Sequence, residues 1–360
     1  MLIFQAVLEN KTENVVVSPV SVYTLLAILQ QSAGGNTQQE INNVVHAQPE
    51  LTKQAYKTLT TRYRGSFSRT EVEFNTRAFA GAGLHFKSDF RQTLINNFLA
   101  DIESVDFGDS ANASAQINSW ISQVTQHKIN ELIHPDELDA FTRLVLVNAI
   151  YFKSYWDNPF TSAENKAFYP TNGTEIQVAT LSQVQFYHAG ECSHLGAKFV
   201  HLDFVDGAEF TVLLILPSEK HGLEELVNRL TADNLTNIIS HHGFKRVTLQ
   251  FPTFRLKSDS NLENLLQALG VIEVFQPSAD LSAMTNETLV LKKAIQKAEI
   301  LIDENGVTAA AATGFTFFLP MARLPVVAED MDFTADHPFL FFIVDRATHV
   351  PLFAGRVTNP

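Results

Sequence analysis

The hydrophobic positions in the first third of the chain recur at the spacing of amphipathic helices. Ser18 and Pro19 can cap and open a helix, and the sequence SVYTLLAILQQSAGG carries apolar residues at helical spacing until two glycines end it. A second pattern, AQINSWISQVTQHKINELI, places Ile117, Trp120 and Ile121 on one stripe. Both segments are therefore predicted to be helices that pack through one apolar face.

Later segments have the pattern of buried strands. The run LVLVNAIYFK, Leu144–Lys153, is almost continuously apolar without helical spacing, which is typical of a strand covered on both faces. Shorter runs such as FTVLLILP, AEILID and PFLFFIVD follow, and no linker or repeat divides the sequence. Because helices and strands are mixed without strict βαβ alternation, we expect one α+β domain over residues 1–360.

Composition and charge narrow the possible partners. Of the 360 residues, 45% are apolar and 18% are charged, and the formal net charge is −13 with lysine and arginine scattered along the chain. The polar-free runs are far shorter than the roughly 20 residues that a membrane helix needs. We therefore expect no membrane partner, no nucleic acid and no heparin-like polysaccharide.

Cysteine and asparagine usage point to different compartments. Cys192 is the single cysteine, so no disulfide framework exists and an intracellular location is one alternative. Five Asn-x-Ser/Thr acceptors favour a secreted glycoprotein instead. Met1 runs into an apolar segment without a basic leader, so a secreted form would be mature or truncated. The predicted glycosylation acceptors are Asn10, Asn112, Asn172, Asn234 and Asn286.

Several polar residues occupy positions where apolar ones are expected. Asn148 interrupts the long strand pattern, and a buried amide without a partner costs about 1–3 kcal/mol. Ser18 and Ser21 at the start of the first helix, and His337 ahead of a late strand, are candidate partners. The alternative is a helix cap, a strand-end asparagine and a loop histidine that never meet.

Four segments together resemble the serpin family of protease inhibitors. They are NVVVSPVSVYTLLAILQQSAGGNT, LVLVNAIYFKSYWDNPF, KAEILIDENGVTAAAAT and DHPFLFFIVDRATHVPLFAGRV, in the family's order and at its separations across nearly the whole chain. The resemblance implies a fold of three β-sheets, about eight or nine helices and an exposed reactive-centre loop. It also implies a monomeric inhibitor that is not an enzyme and uses no cofactor or metal.

The resemblance assigns conformational roles to the polar residues. In serpins, the residues matching Ser18, Ser21, Asn148 and His337 form a polar network, the shutter, under the central sheet where it parts. The residue matching Trp156 caps the top of that opening, the breach. Gln296 replaces the family's usual histidine before Lys-Ala, which we expect to remove one polar contact below the hinge.

The segment DENGVTAAAATGFTFF is the hinge by resemblance, and residues 304–330 are the hinge and reactive-centre loop. In serpins, the cut loop inserts as a new strand between those matching LVLVNAIYFK and AEILID. Side chains alternate faces along a strand, and no charge or proline occurs between Val307 and Leu319, so the segment can enter a sheet. The hinge residues are Glu304, Gly306, Val307, Ala309, Ala310, Ala311, Ala312 and Thr313.

Val307 stands where inhibitory serpins usually have threonine or serine. Valine is close to isosteric with threonine and favours strands, so we expect insertion to survive with an altered rate. A non-inhibitory serpin that acts as a carrier, storage protein or chaperone is the alternative, motivated by Val307 and a loop longer than usual.

The bait residue lies in FFLPMARLPVVAED, Phe317–Asp330. Cleavage between Met321 and Ala322 resembles serpins directed at elastase- and chymotrypsin-like proteases. Cleavage between Arg323 and Leu324 would suit a trypsin-like enzyme, although Arg323 can equally be a solvated loop charge. A papain-like cysteine protease also fits the apolar residues upstream.

Other residue clusters indicate no catalytic or metal chemistry. His241 and His242 are adjacent, no third ligand follows at metal-site spacing, and we interpret them as a solvent-exposed pair. The remaining histidines and carboxylates form no hydrolase pattern.

Overall fold

A computed structural model describes residues 1–9, 11–63, 67, 69–171, 173–205, 209–307 and 329–360, with only the backbone at 259–261. The helices are α1 (Leu2–Leu8), α2 (Pro19–Ser32), α3 (Gly35–Val45), α4 (Pro49–Tyr63), α5 (Ser88–Thr93), α6 (Ser110–Val124), α7 (Leu223–Arg229), α8 (Ala232–Ile239) and α9 (Leu262–Ala268). Short 3-10 turns cover Pro135–Glu137 and Glu273–Phe275, and a π-helical turn covers Leu94–Phe98. Across these ranges, no helix is long and apolar enough to cross a membrane.

The strands fall into two hydrogen-bonded networks. They are β1 (Val15–Val17), β2 (Glu71–Gly81), β3 (Asp101–Val105), β4 (Leu144–Tyr155), β5 (Ala163–Phe168), β6 (Ile176–Cys192), β7 (Ala197–Asp203), β8 (Phe210–Pro217), β9 (Phe244–Pro252), β10 (Phe254–Asn261), β11 (Lys293–Ile302), β12 (Gly306–Val307), β13 (Asp330–Thr334), β14 (Phe339–Asp345) and β15 (Val350–Val357). The main sheet has the order β10-β11-β12-β4-β2-β3. The other network runs β1-β15-β14-β8-β7-β6-β9-β13, with β5 on β6.

The long strand β6 connects two of the three expected sheets. Its residues from Thr180 to His188 pair with β9, whereas Ala189 to Cys192 pair with β7. The two sheets are therefore continuous through one strand. The α+β class predicted from the sequence is confirmed.

The first predicted helix forms as expected and the second is shorter. The hydroxyl of Ser18 caps α2 by accepting from Ser21 N, and the helix ends before the two glycines. The second pattern predicted a helix to Ile133, but α6 ends at Val124. The Thr125 hydroxyl donates to the carbonyl of Ile121 and accepts from Ile129 N, so it competes with the backbone for the next helical turn.

Strand β4 is covered on both faces, as its unbroken apolar run predicts. Leu144 and Leu146 belong to the core cluster that includes α2. Val145 and Val147 point the other way and pack with Trp120 and the rest of the apolar stripe of α6. The main sheet is therefore held between these two helices, and β4 is buried on both faces as far as Phe152, whereas Lys153 and Tyr155 are half-buried.

Four histidines gather beside Phe199. The ring centroid of His188 lies 6.5 Å from that of His201 and 6.1 Å from that of His242, and His241 lies 5.1 Å from Phe199. The predicted solvent-exposed pair is correct for His242, whereas His241 is half-buried because its ring packs against Phe199. Within the described ranges, no group of three or more histidine, cysteine or acidic residues could hold a metal ion.

These histidines predict a loss of stability in acid. Burial lowers the pKa of His201 to about 3 and that of His188 to about 4, with Arg346 adding repulsion. Below the ordinary pKa of about 6.5, the unfolded chain binds more protons than the folded one. This contribution to stability is therefore complete above pH ~6.5 and falls as the pH drops toward about 4.

We expect the urea midpoint to fall less between pH 7 and pH 4 in His201→Gln than in the wild type. Urea unfolding at several pH values measures this difference. His85→Gln is the control, because its side chain is 90% exposed and its loss should match that of the wild type. Equal losses in the wild type and His201→Gln would contradict the interpretation.

Candidate functional site

The start of the hinge is already a strand of the main sheet. After β11, the chain reverses, and β12 pairs antiparallel with both neighbours: Val307 with Ile302 of β11 and with Ser154 of β4. A carboxylate oxygen of Asp303 holds the turn by accepting from Asn305 N at 2.8 Å and from the next amide at 3.2 Å. Burial raises the pKa of Asp303 above its ordinary value.

Only glycine fits at the first position of β12. Gly306 has a φ of 152°, and a Cβ added there would lie 2.1 Å from the carbonyl oxygen of Ser154. Val307 follows with 0% exposure inside the core. The side chain that departs from the family's usual residue therefore already lies inward between β4 and β11.

Trp156 closes the upper end of the sheet against the hinge turn. Its Nε1 donates to the carbonyl of Asp303 at 2.8 Å and its backbone N donates to that of Asn305 at 3.0 Å. The indole stacks on Phe204, with centroids 5.0 Å apart. The backbone carbonyl of Glu304 accepts a hydrogen bond from Phe160 N at 3.1 Å. The structure thus brings Trp156 and Glu304 together at the upper end of β4, and the assignment of Trp156 to the breach stays a prediction.

Below the hinge, Ser18, Ser21 and Gln296 form a buried cluster. Gln296 Oε1 accepts from Ser18 N at 3.3 Å, and Gln296 Nε2 donates to Ser18 O at 2.8 Å. All three residues are buried. The glutamine was expected to remove a contact, but it instead joins β11 to the first turn of α2.

Asn148 and His337 do not bond as expected. Asn148 is the register partner of Gln296 across β4 and β11, but its Nδ2 donates to Thr76 of β2 at 2.7 Å. His337 bonds Asp336 at 2.6 Å through Nδ1 and the carbonyl of Pro217 at 2.9 Å through Nε2.

The prediction that His337 joins the shutter is therefore corrected, because both of its ring nitrogens are used elsewhere. Gln296 takes that place. The signal that could have identified it was the departure from the family pattern at position 296.

Two atoms of this cluster lack a partner. Ser21 Oγ and Asn148 Oδ1 are buried and, within the described residues, accept or donate no hydrogen bond. Each such atom costs about 1–3 kcal/mol. The seam between β4 and β11 therefore contains buried polar atoms whose hydrogen-bonding capacity is not satisfied in the folded state.

Three lysines contact the segment that follows α6. Two of them lie in β11, and the third immediately precedes it. Lys297 Nζ donates to the carbonyl of Glu131 at 2.5 Å, and Lys293 pairs with Glu137 at 2.5 Å. Lys292 adds a third contact, 3.7 Å from the carboxylate of Asp139. We call these contacts the lysine clasp. The clasp therefore joins β11 to the segment that leads into β4.

Much of the predicted loop lies outside the described residues. Those positions are Ala309, Ala310, Ala311, Ala312, Thr313, Met321, Ala322, Arg323 and Leu324. The chain returns at Glu329, and β13 then pairs in parallel with β9 from Asp330.

Three of the five predicted glycan acceptors can be placed, since Asn10 and Asn172 lie outside the description. Asn112 and Asn286 are exposed. Asn234 is half-buried, and its Nδ2 donates to the carbonyl of Arg229 at 3.2 Å. The first two are therefore the accessible positions.

Comparison with known proteins gives a consistent picture. A family model described as serpin (serine protease inhibitor) matches residues 1–360. Human Serpin B3 is 30% identical, over 99% of this chain and 96% of its own length. The structure of Serpin-12 from Manduca sexta aligns with a TM-score of 0.88 and 28% identity, over 99% of this chain and 96% of that one. Human thyroxine-binding globulin aligns with a TM-score of 0.87 and 26% identity, over 100% and 95%.

The contact between Gln296 and Ser18 can be tested by truncation. Gln296→Ala leaves the buried Ser18 N–H without its acceptor, so we expect the free energy of unfolding to fall by about 1–3 kcal/mol. Urea unfolding measures the change. Gln54→Ala is the control because Gln54 lies exposed on α4, and its effect should stay within about 0.5 kcal/mol. A loss in Gln296→Ala no larger than that of the control would refute the contact.

Proposed function

Because this chain belongs to the serpin family, we propose that it inhibits proteases by covalent suicide trapping. The observation that carries the proposal is the pairing of Val307 with both Ile302 and Ser154. The main sheet already accepts the first hinge residues as a middle strand, despite the valine. Residues further along the hinge would extend the same strand after cleavage.

The catalytic residues belong to the protease, whereas this chain supplies the scissile bond and the conformational change. The protease nucleophile attacks the carbonyl of the bait residue, forming an ester or thioester and releasing the new amino terminus of the downstream segment. Insertion from Gly306 to Met321 would then carry the attached protease about 50 Å, at roughly 3.3 Å per residue. That is about the diameter of a 360-residue globule, so the acyl-enzyme would be distorted at the far pole before water could hydrolyse it.

We propose Met321–Ala322 as the reactive bond, with an elastase- or chymotrypsin-like target. Arg323–Leu324 with a trypsin-like target, and a papain-like cysteine protease, remain the alternatives. The net charge of −13 supports a mode of action without heparin, and we propose that the protein acts as a monomer.

A non-inhibitory carrier is the second candidate. Val307 departs from the usual hinge, and the fold aligns closely with thyroxine-binding globulin, whose name describes a ligand-binding protein. On this reading the loop would be cut without trapping the protease.

Incubation with elastase-, chymotrypsin-, trypsin- and papain-like proteases tests the inhibitory proposal. We expect an SDS-stable adduct with at least one class, and the released peptide should begin at Ala322, or at Leu324 for the alternative bond. Protein cut in the loop should melt at a markedly higher temperature than intact protein, since insertion adds a strand. Clean cleavage by every class without an adduct would favour the carrier.

The variant Gly306→Ala tests the insertion step in the same experiment. Its Cβ would collide with Ser154 O, so insertion should be impaired and cleaved product should increase at the expense of adduct. Gly83→Ala is the matched control, because Gly83 also has a positive φ, 86°, but an added Cβ meets nothing within 4 Å. Adduct yields that fall equally in both variants would assign the effect to backbone strain alone.

We also propose that the protein is a secreted glycoprotein. Support comes from the acceptor motifs at Asn112 and Asn286, both of which are exposed. Peptide-N-glycosidase treatment of material from its native source should increase its mobility on a gel. Asn112→Gln and Asn286→Gln should each remove one increment of that shift. Mobility unchanged by the glycosidase would favour the intracellular alternative.

A further inference from the structure

An apolar surface lies on the outer face of strands β6 and β9. Val184, Phe186 and Phe244 are 51%, 53% and 52% exposed, and we call these three residues the apolar patch. Large apolar side chains scattered singly on a surface are ordinary, but a contiguous group commonly marks an interaction site.

The strand register shows that the three patch residues are contiguous. Phe186 of β6 is paired with Arg246 of β9, and His188, two residues further along β6, is paired with Phe244. Alternate residues share a face, so Val184 and Phe186 point the same way. The ring of His188 lies 3.9 Å from that of Phe244, which continues the surface across both strands.

The opposite face of the same strands is core. Tyr187 of β6 and Val247 and Leu249 of β9 alternate with the patch residues and are buried. The apolar patch is therefore not a core surface left open. It is a second apolar face on a sheet whose packing against the molecule is already complete.

The patch adjoins the point where the loop returns to the fold. Arg246 N donates to the carbonyl of Glu329 at 3.3 Å, and Lys245 Nζ lies 2.8 Å from the carboxylate of Glu329. Asp330 is the register partner of Arg246, with 3.6 Å between their charged groups. The residues that follow Phe244 therefore anchor the end of the loop.

A protease engaged with the loop would reach the patch. Phe186 and Asp330 are separated by two strand spacings, about 10 Å. Nine residues lead back from Asp330 to Met321, which at full extension is about 30 Å. A protease of roughly 230 residues has a diameter of about 45 Å. Its body is therefore large enough to reach this face while its active site holds the bait.

We propose that the apolar patch is a secondary docking surface for the target protease, used before the reactive bond is cut. This inference rests on the proposed inhibitory function. An apolar centre bordered by charged pairs is the usual composition of a protein interface, and the pairs Lys245–Glu329 and Arg246–Asp330 supply that border. The partner surface would be apolar and would lie beside the active-site cleft of the protease.

The test compares rates of adduct formation. The double variant Val184→Ser, Phe186→Ser should lower the second-order rate constant with the target protease about tenfold, the loss expected when central apolar contacts are removed. The fraction of inhibitor partitioned to adduct should stay unchanged, because the patch acts before cleavage. A change in loop insertion would alter that fraction instead.

Phe141→Ser is the matched control. Phe141 is 86% exposed and precedes β4, at the opposite end of that strand from the hinge. Its rate constant should equal that of the wild type. Melting temperatures of all variants should agree with the wild type within a few degrees, since each substituted side chain faces solvent; the single variant Phe186→Ser is used if the double variant melts lower.

The outcomes separate the two proposals. An adduct that forms at the wild-type rate in the patch variants overturns the docking surface and leaves the inhibitory function intact. Wild-type dimers that dissociate in the variants during size-exclusion chromatography would assign the patch to self-association and also overturn it. If no protease class forms an adduct with the wild type, the inhibitory function fails, and the docking surface fails with it.

Discussion

The structure depends on how the neighbouring strands β4 and β11 pair with each other in the main sheet. Lys293–Lys297 pair directly and in parallel with Val145–Ala149, and the register ends there. Above this point, β12 stands between the two strands and pairs antiparallel with both. Growth of β12 down the sheet would replace one parallel ladder with two antiparallel ones. Because antiparallel pairing is slightly more stable per residue and the number of ladders doubles, backbone pairing favours the full middle strand that the proposed trapping mechanism requires.

The buried polar cluster permits that change. Asn148 and Gln296 face each other in register across the seam, but each bonds on its own side, Asn148 to Thr76 and Gln296 to Ser18. An inserted strand would move the two main chains from about 4.8 to about 9.6 Å apart. These hydrogen bonds do not cross the seam, so its opening need not break them. With glutamine in place of the histidine usual in the family, each strand still has a hydrogen-bonded support of its own at this position.

Much of this arrangement was predictable from the sequence. The unbroken apolar run predicted the doubly covered strand β4, and Ser18 with Pro19 predicted the start of α2, because each signal is local. The position of Trp156 came from family resemblance and not from periodicity.

The failures arose where tertiary contacts decide the outcome. His337 was assigned by type and approximate position, yet its nitrogens bond Asp336 and Pro217. The end of α6 at Val124 depends on a single hydroxyl, that of Thr125, which apolar spacing does not detect.

The patch and the lysine clasp would act at different stages of one reaction. Docking on Val184, Phe186 and Phe244 would affect only how often a protease reaches the bait. The clasp joins β11 to the segment that leads into β4, so the proposed separation of these two strands would strain its contacts, among them the pair of half-buried Lys293 with exposed Glu137. In the proposed mechanism, a stronger clasp would slow insertion and lengthen the time available to water for hydrolysis of the acyl-enzyme. Capture and trapping would thus depend on separate surfaces, so a change in target preference at the patch would leave the conformational change intact.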